Sequence, residues 1–335
     1  MKTLLIVNPV SGNRSWERKL STVRKWFRRH EIPLVIRFTE RRGHATDIAR
    51  AAVVEGYDTV AAAGGDGTIN EVLCGLAGSR IKLGILPWGT GNVFAREMGI
   101  PKSVRKQCRL IRKGRSLELD TGIANGRRFL LMASAGFDAY ALKQMESQAP
   151  KTAGIWSYVF SGLKTLLSYD HPLLSAEVDG EPFGEGSYVL ISNTSRYGAF
   201  FTMAPRADPT DGMLDVFVYR EHGHIGILRL VFGLLQHALG WKSDVAHEMA
   251  LRKHWVGAGK EIVVRSERGC QAQVDGDWIG ELPLRVTVDP SSLRVILPGK
   301  TIRKLSRTGG AGKRSSGIRG TAPVSRKDYG GPGSS

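Results

Sequence analysis

Thr59-Val60-Ala61-Ala62-Ala63-Gly64-Gly65-Asp66-Gly67-Thr68-Ile69-Asn70-Glu71-Val72-Leu73-Cys74-Gly75-Leu76 runs without a spacer from a short apolar stretch, through a glycine-rich turn, into a helical pattern. Thr59 to Ala63 reads as a strand and Thr68 to Leu76 as a helix, which makes one βα step. The same step repeats on both sides. Upstream, Thr3 to Val7 reads as a strand. Trp16, Leu20, Val23 and Phe27 then recur at i, i+4, i+7 and i+11, one face of a helix whose other faces carry Arg18, Lys19, Arg24, Lys25, Arg28 and Arg29. Leu34 to Phe38 is a further strand, Thr46 to Val54 an Ala-rich helix, and Ile81 to Leu86 another strand. Strands alternating with helices predict parallel βαβ units.

After about Ser116 the pattern changes. Leu117 to Ile123, Asn125-Gly126 and Phe129 to Ala133 predict a β-hairpin, since Asn-Gly supplies the positive φ angles of a type I′ turn. Leu174 to Val178, Tyr188 to Ser192, Leu214 to Tyr219, Glu261 to Arg265, Ala272 to Val274 and Leu284 to Val288 read as further strands. Two apolar helical stretches, Ile155 to Leu167 and Ile225 to Leu239, interrupt them. The expected architecture is an α/β domain with a parallel sheet over residues 1–120 and a strand-rich, antiparallel β-sandwich domain over 121–300. No internal repeat is evident.

Composition narrows the function classes. The 335 residues hold 48 Lys+Arg against 31 Asp+Glu, a net charge of +17, and a 41% hydrophobic share that can bury a core. From Arg303 onward eight Lys/Arg face one acid among many Gly and Ser, so 303–335 is expected to be a disordered basic tail, whose removal leaves +10. Such a surface favours anionic partners, a phospholipid membrane, nucleic acid or nucleotides. Solvated charge that aids solubility is the other reading of the tail. Cys74, Cys108 and Cys270 are far apart and form no C-x-x-C pair, so neither a disulfide framework nor a zinc site is supported. The apolar stretches are too short and too charged to span a membrane, and Leu4 to Val7 is too short for a signal peptide. An intracellular protein is the expectation.

Three glycine-containing loops sit at the carboxyl ends of expected strands, where open α/β sheets bind ligands. They are Asn8-Pro9-Val10-Ser11-Gly12, Gly64-Gly65-Asp66-Gly67-Thr68, and Pro87-Trp88-Gly89-Thr90-Gly91-Asn92, and each precedes a helix start. Glycine admits a phosphate close to the backbone, Ser11, Thr68 and Thr90 add hydroxyl donors, and helix N-termini present free N–H groups. A single such loop reads equally well as a plain turn; three together read as a nucleotide-phosphate cradle. Neither a Walker A loop nor a G-x-G-x-x-G fingerprint occurs after the first strand.

The combination of Asn8-Pro9-Val10-Ser11-Gly12, Gly64-Gly65-Asp66-Gly67-Thr68-Ile69-Asn70-Glu71 and Leu86-Pro87-Trp88-Gly89-Thr90-Gly91-Asn92-Val93-Phe94-Ala95-Arg96 resembles the catalytic domain of the diacylglycerol kinase family, shared by sphingosine, ceramide and bacterial soluble lipid kinases. The likeness covers residues 1 to about 300 and includes Ala204-Pro205, Asp208-Pro209-Thr210-Asp211-Gly212-Met213-Leu214-Asp215 and Val274-Asp275-Gly276-Asp277. It implies ATP-dependent phosphorylation of a lipid hydroxyl, with nucleotide in a cleft between an α/β domain and a β-sandwich. Asn8, Pro9, Val10, Ser11, Gly12, Thr39, Gly65, Asp66, Gly67, Thr68, Ile69, Asn70, Glu71 and Thr90 match ATP-contacting positions. Asp66, in a glycine turn at a strand end, is the candidate acid for ATP-bound Mg²⁺, directly or through water; a turn carboxylate that caps the following helix is its other reading. Asp211, with the main chain of Asp208 and Met213, matches a structural Mg²⁺ site. Asp275-Gly276-Asp277 matches an Asp-Gly-Glu motif, with Asp277 as proton acceptor and Asp275 for Mg²⁺ or electrostatic work; a plain hairpin turn is compatible with both. Position 93 is Val where many members have Asp, and position 13 is Asn where some have Lys, so Arg14 and Arg96 are candidates to supply those contacts.

The two apolar helical stretches fit a core, an acyl-chain pocket or a membrane interface. The main expectation is a cytoplasmic lipid kinase using ATP and Mg²⁺, with a lipid alcohol as substrate, peripheral on an anionic membrane. A soluble kinase resembling NAD kinase shares the Gly-Gly-Asp-Gly-Thr loop and the Asn-Glu after it, but Gly-Thr-Gly-Asn-x-Phe-Ala-Arg and Asp-Gly-Met-Leu-Asp fit the lipid kinases better. No nucleic-acid motif backs a specific nucleic-acid partner.

Overall fold

β1 (Thr3–Val7) is buried along its whole length because it is paired in parallel on both sides, with β2 (Leu34–Phe38) and β3 (Thr59–Gly64). β3 pairs in parallel with β4 (Lys82–Pro87), giving the order β2-β1-β3-β4. Strands covered on both faces need no polar face, which is why β1 and β3 read as continuous apolar runs while the edge strand β2 is only half buried. This is a computed structural model, and it describes residues 2–12, 15–148, 168–198, 201–238 and 254–308.

The chain divides into two compact units. The first contains residues up to Thr121, with Asp208–Gly212 and residues 289–308. In it α1 (Trp16–Arg29) places Leu20, Val23 and Phe27 in one cluster with Leu5, Val7, Ala61 and Ala63 of the sheet and with Cys108 and Ile111 of α5 (Val104–Lys113). α2 (His44–Val54) and α3 (Asp66–Leu76) meet where α3 carries Gly75, since a Cβ there would lie 2.5 Å from that of Ala49. α4 (Val93–Glu97) follows the third glycine loop.

The second unit is a sandwich. β5 (Ser116–Ala124) turns at Asn125 (φ +46°) and Gly126 (φ +82°) into β6 (Arg127–Phe129), as the Asn-Gly pair predicts. The expected return strand over 129–133 breaks at Leu130-Leu131. β7 (Met132–Ala135) instead enters a second sheet of order β14-β13-β10-β7-β16-β17, formed with β10 (Tyr188–Ser192), β13 (Leu214–Tyr219), β14 (His254–Gly259), β16 (Gln271–Val274) and β17 (Asp277–Glu281). The opposing layer pairs β8 (Leu174–Val178), β9 (Glu181–Gly186), β15 (Glu261–Ser266) and the start of β18 (Leu284–Ile296). Leu174, Ala176, Ile262, Val264, Leu284 and Val286 from one layer share a core with Ala133, Ala135, Val189, Ile191, Val216, Val218, Ala272 and Val274 from the other. The spacing of two within each strand is that of sheet on sheet. β11 (Arg196–Tyr197) and β12 (Phe201–Thr202) form a small separate ribbon.

Three expectations change. The second domain is not one stretch over 121–300, because Asp208–Gly212 and residues 289–308 return to the first unit; Arg294 and Val295 of β18 pair in parallel with Lys82 and Leu83 of β4. Residues 303–308 are not tail: they close a helix, α8 (Gly299–Thr308), which buries Leu305. Its few apolar positions hid it in a basic, Ser-containing segment. α5, α6 (Phe137–Gln148), β9, β11, β12, β14 and β17 are not among the expected elements. The Ile155 to Leu167 stretch and the tail beyond 308 lie outside the described residues. The other apolar stretch is α7 (Gly223–Ala238), which buries Ile227 and Leu230 but exposes Ile225, Leu228 and Phe232.

Candidate active site

In the first unit the three glycine loops touch through their backbones. Gly12 has φ +75°, and a Cβ on it would collide with the Trp88 carbonyl oxygen; a Cβ on Gly89 would collide with the Gly65 Cα. The Trp88 and Gly89 N–H groups donate to the Gly64 carbonyl at 2.8 and 3.1 Å. Thr68, buried beneath, ties the loops by their side chains: Asn8 Nδ2 donates to its Oγ1 at 2.9 Å, and Ser11 Oγ lies 3.4 Å from the same atom. Ser11 Oγ also accepts the Gly65 N–H at 3.4 Å. Gly12→Ala is therefore expected to lower stability by about 1–3 kcal/mol, through strain at a positive φ as well as the collision. Thermal denaturation checks this; an unchanged melting temperature would remove the backbone contact from the account.

Asp66 opens α3 and reaches the next loop. Its Oδ1 accepts the Phe94 N–H at 3.3 Å at the start of α4, with the Val93 and Asn92 N–H groups also directed at the carboxylate. Asn92 makes that approach possible by taking φ +49°, its side chain holding the Gly89 N–H and carbonyl at 3.1 and 2.5 Å. Burial pushes the Asp66 pKa up, and the N–H groups of Val93, Phe94, Asn92 and Asp66 itself oppose it only in part.

The other matched positions differ in their surroundings. Pro9 is half-buried, while Val10, Gly67 and Thr90 are exposed on the loops. Thr39 is buried at the end of β2, its N–H donating to the Val7 carbonyl at 2.9 Å. Ile69 is buried under the loop, and Asn70 Oδ1 accepts the Cys74 thiol at 3.5 Å. Glu71 holds the start of α2, its carboxylate accepting the Ala45 N–H at 3.1 Å. Asn13 and Arg14 lie outside the described residues; Arg96 is exposed on α4.

Asp208 and Asp211 also belong to the first unit. Asp208 Oδ1 accepts the Thr210 N–H and hydroxyl at 3.1 and 2.6 Å, and its carbonyl accepts the Asp211 N–H at 3.3 Å. Asp120 joins them: buried, it accepts the Gly212 and Ser291 N–H groups at 2.7 Å each, and its own N–H donates to the Pro209 carbonyl at 2.7 Å. Burial, with the charges of Asp208 and Asp289 nearby, raises its pKa. The sequence signal was a second acid, two residues after Glu118, within the strand stretch Leu117 to Ile123. Among the described residues no three His, Cys, Asp or Glu side chains converge as a metal cluster. The donor set of a few carboxylates plus backbone carbonyls fits a hard, water-retaining cation such as Mg²⁺, which would also offset the crowded negative charge. Met213, buried, leads into β13 of the second unit.

In the second unit Asp275 (φ +49°) and Gly276 (φ +88°) form the two-residue turn between β16 and β17. The Asp275 carboxylate accepts the N–H groups of Leu130, Leu131 and Met132 at 2.9, 3.0 and 2.9 Å, holding the break between β6 and β7. Asp277 is different. Its side chain is 45% exposed and lies 3.3 Å from Arg127.

Residues 2–124 match the family described as the diacylglycerol kinase catalytic domain, and residues 132–297 the YegS C-terminal NAD kinase beta sandwich-like domain. A diacylglycerol kinase of Staphylococcus aureus (strain MRSA252) is 31% identical over 83% of this chain and 87% of its own, and one of Bacillus subtilis (strain 168) is 28% identical over 90% and 98%. The fold is that of a diacylglycerol kinase crystal structure from Bacillus anthracis str. Sterne, with TM-score 0.66 at 23% identity over 90% of this chain and 98% of that one. With its glycine loops closed on Asp66 and both halves of the chain matched, the protein belongs to the diacylglycerol kinase family and carries its kinase catalytic domain.

Proposed function

We propose that this protein is an ATP-dependent lipid kinase that moves the γ-phosphate of ATP to the hydroxyl of a lipid alcohol such as diacylglycerol or a sphingoid base. The observation that carries the reading is the backbone contact of three glycine loops around Asp66 and Thr68 at the carboxyl ends of β1, β3 and β4, with Gly67 and Thr90 exposed beside them. Asn8 to Gly12, Gly65 to Glu71, Thr39 and Thr90 bind and orient the triphosphate. Bound Mg²⁺, taken by Asp66 with the phosphates, would supply charge neutralisation. A structural Mg²⁺ would sit with Asp211 and the Asp208 and Met213 carbonyls. Asp277 accepts the proton of the attacking hydroxyl, since its carboxylate is the more open of the two on the turn. Asp275 then serves by holding that turn. Incubating the protein with γ-labelled ATP, Mg²⁺ and a total lipid extract, with NAD in a parallel arm, tests the reading: labelled lipid supports it, while label in NAD alone would favour the NAD kinase-like alternative that the second matched domain also fits.

A water-insoluble acceptor requires a visit to the bilayer, and we place the protein in the cytoplasm, peripheral on the anionic inner face of the membrane. No described helix is long and apolar enough to cross a membrane. Arg24, Lys25 and Arg28 line a groove of about 440 Å³ with Trp16, Leu20 and Phe38, and Lys102, Arg105, Lys106, Arg109, Arg112, Lys113 and Arg115 are exposed. Each basic residue near an anionic surface contributes ~1 kcal/mol, screened over about 8 Å at physiological salt. Binding to anionic vesicles is expected to fall steeply as salt rises and to be weak on zwitterionic ones. Truncation after Thr308, which spares α8, should weaken vesicle binding and leave activity on detergent-dispersed lipid. Salt-independent sedimentation with neutral vesicles would shift the contact to apolar groups such as Ile225, Leu228 and Phe232.

A further inference from the structure

The second unit holds a polar cluster that neither the phosphate loops nor the cation site uses. Asp138, in the first turn of α6, receives on Oδ2 the hydroxyls of Ser134 (2.6 Å), Tyr197 (2.8 Å) and Tyr188 (3.2 Å) and the Gln273 amide (3.1 Å). Its Oδ1 accepts the Ala139 N–H at 2.7 Å. Ser134, Tyr188 and Gln273 are buried. Both tyrosines keep their protons, because burial first and the Asp138 charge second push their pKa values well above the usual phenol range.

An ionised carboxylate only accepts hydrogen bonds, so it decides which way a neighbouring amide faces. Gln273 can turn either its oxygen or its NH₂ toward Asp138, and only the NH₂ is tolerated there; the same NH₂ donates to Ser134 Oγ at 2.6 Å. The Gln273 oxygen is thereby left to accept the Gly276 N–H at 2.9 Å, at the centre of the Asp275-Gly276-Asp277 turn. Nothing in the sequence motif for that turn includes either residue.

We propose that Asp138 and Gln273 act as positioning residues: the carboxylate sets the amide's polarity, and the amide oxygen pins the Gly276 N–H so that Asp277 is presented in one place to the acceptor hydroxyl. The catalytic half of this rests on the lipid-kinase reading; the clamp itself does not. Gln273→Glu puts an acceptor where Asp138 needs a donor. It is expected to lower kcat at least ~10-fold with KM for ATP changed less than about 2-fold, because misplacement of a reacting group acts on the transition state, and to speed amide exchange at Gly276. Gln273→Met, of similar length, removes the Gly276 acceptor without placing a charge beside Asp138, and should show the same loss of kcat with faster exchange at Gly276. A folded Gln273→Glu protein with wild-type kcat, or one whose loss lies wholly in KM, overturns the proposal. Should that variant not fold, Gln273→Met decides: a ~10-fold lower kcat with KM for ATP held supports the clamp, and a folded protein with wild-type kcat or unchanged Gly276 exchange refutes it. If the wild type phosphorylates no lipid, the kinase reading fails while Gly276 exchange still decides the clamp, fast exchange in wild type counting against it.

Discussion

Asp66→Asn is expected to lower kcat/KM at least ~100-fold with no loss of melting temperature. The change removes one negative charge from the loop proposed to face metal-bound phosphates, an interaction that strengthens as charge moves in the transition state. Stability should hold for two reasons. The amide oxygen can still accept the Phe94 N–H, and the raised pKa of Asp66 means that the folded chain already disfavours the charge. The same shift has a consequence for pH: activity that needs ionised Asp66 is lost, as pH falls, at a higher pH than an ordinary aspartate would give. Steady-state kinetics beside a thermal melt tests both parts, and near-normal turnover in the variant would end the assigned role.

Asp277→Ala should abolish transfer while leaving ATP binding and stability close to wild type. Its carboxylate is half exposed, and its ion pair with Arg127 is of the surface kind worth about 0–1 kcal/mol. Asp275→Ala should behave in the opposite order. Removing that carboxylate leaves the N–H groups of Leu130, Leu131 and Met132 without their acceptor, at about 1–3 kcal/mol for each buried group, so the melting temperature drops first and activity follows. Single-turnover kinetics, nucleotide titration and melts on the two variants separate the roles. A stable, inactive Asp275→Ala beside an active Asp277→Ala would reverse the assignment.

Local features carried much of the first unit. β1, β3 and α1 follow from apolar runs and a 3.6-residue stripe, and Asn125-Gly126 makes the expected turn, because each depends on neighbours in the chain. The hairpin's continuation was not legible. The apolar residues 129–133 suit one strand as well as two, and it is Asp275, far away in sequence, that draws the Leu130–Met132 N–H groups aside. α8 escaped for the related reason that its one buried side chain, Leu305, has a partner surface only after folding.

By itself the sequence determined the βα order, the three glycine loops, the Asp-Gly-Asp turn and the family likeness, all of which are patterns of adjacent residues. Tertiary structure alone decided that Asp120 lies with the 208–212 loop, that Asp66 spans to α4, that Asp275 is held by backbone N–H groups while Asp277 lies half exposed beside Arg127, and that Asp138 faces Gln273. These pairings join residues up to 145 positions apart. Register and packing bring them together, and no local spacing records a hydrogen bond whose two ends meet only when separate strands close on one core.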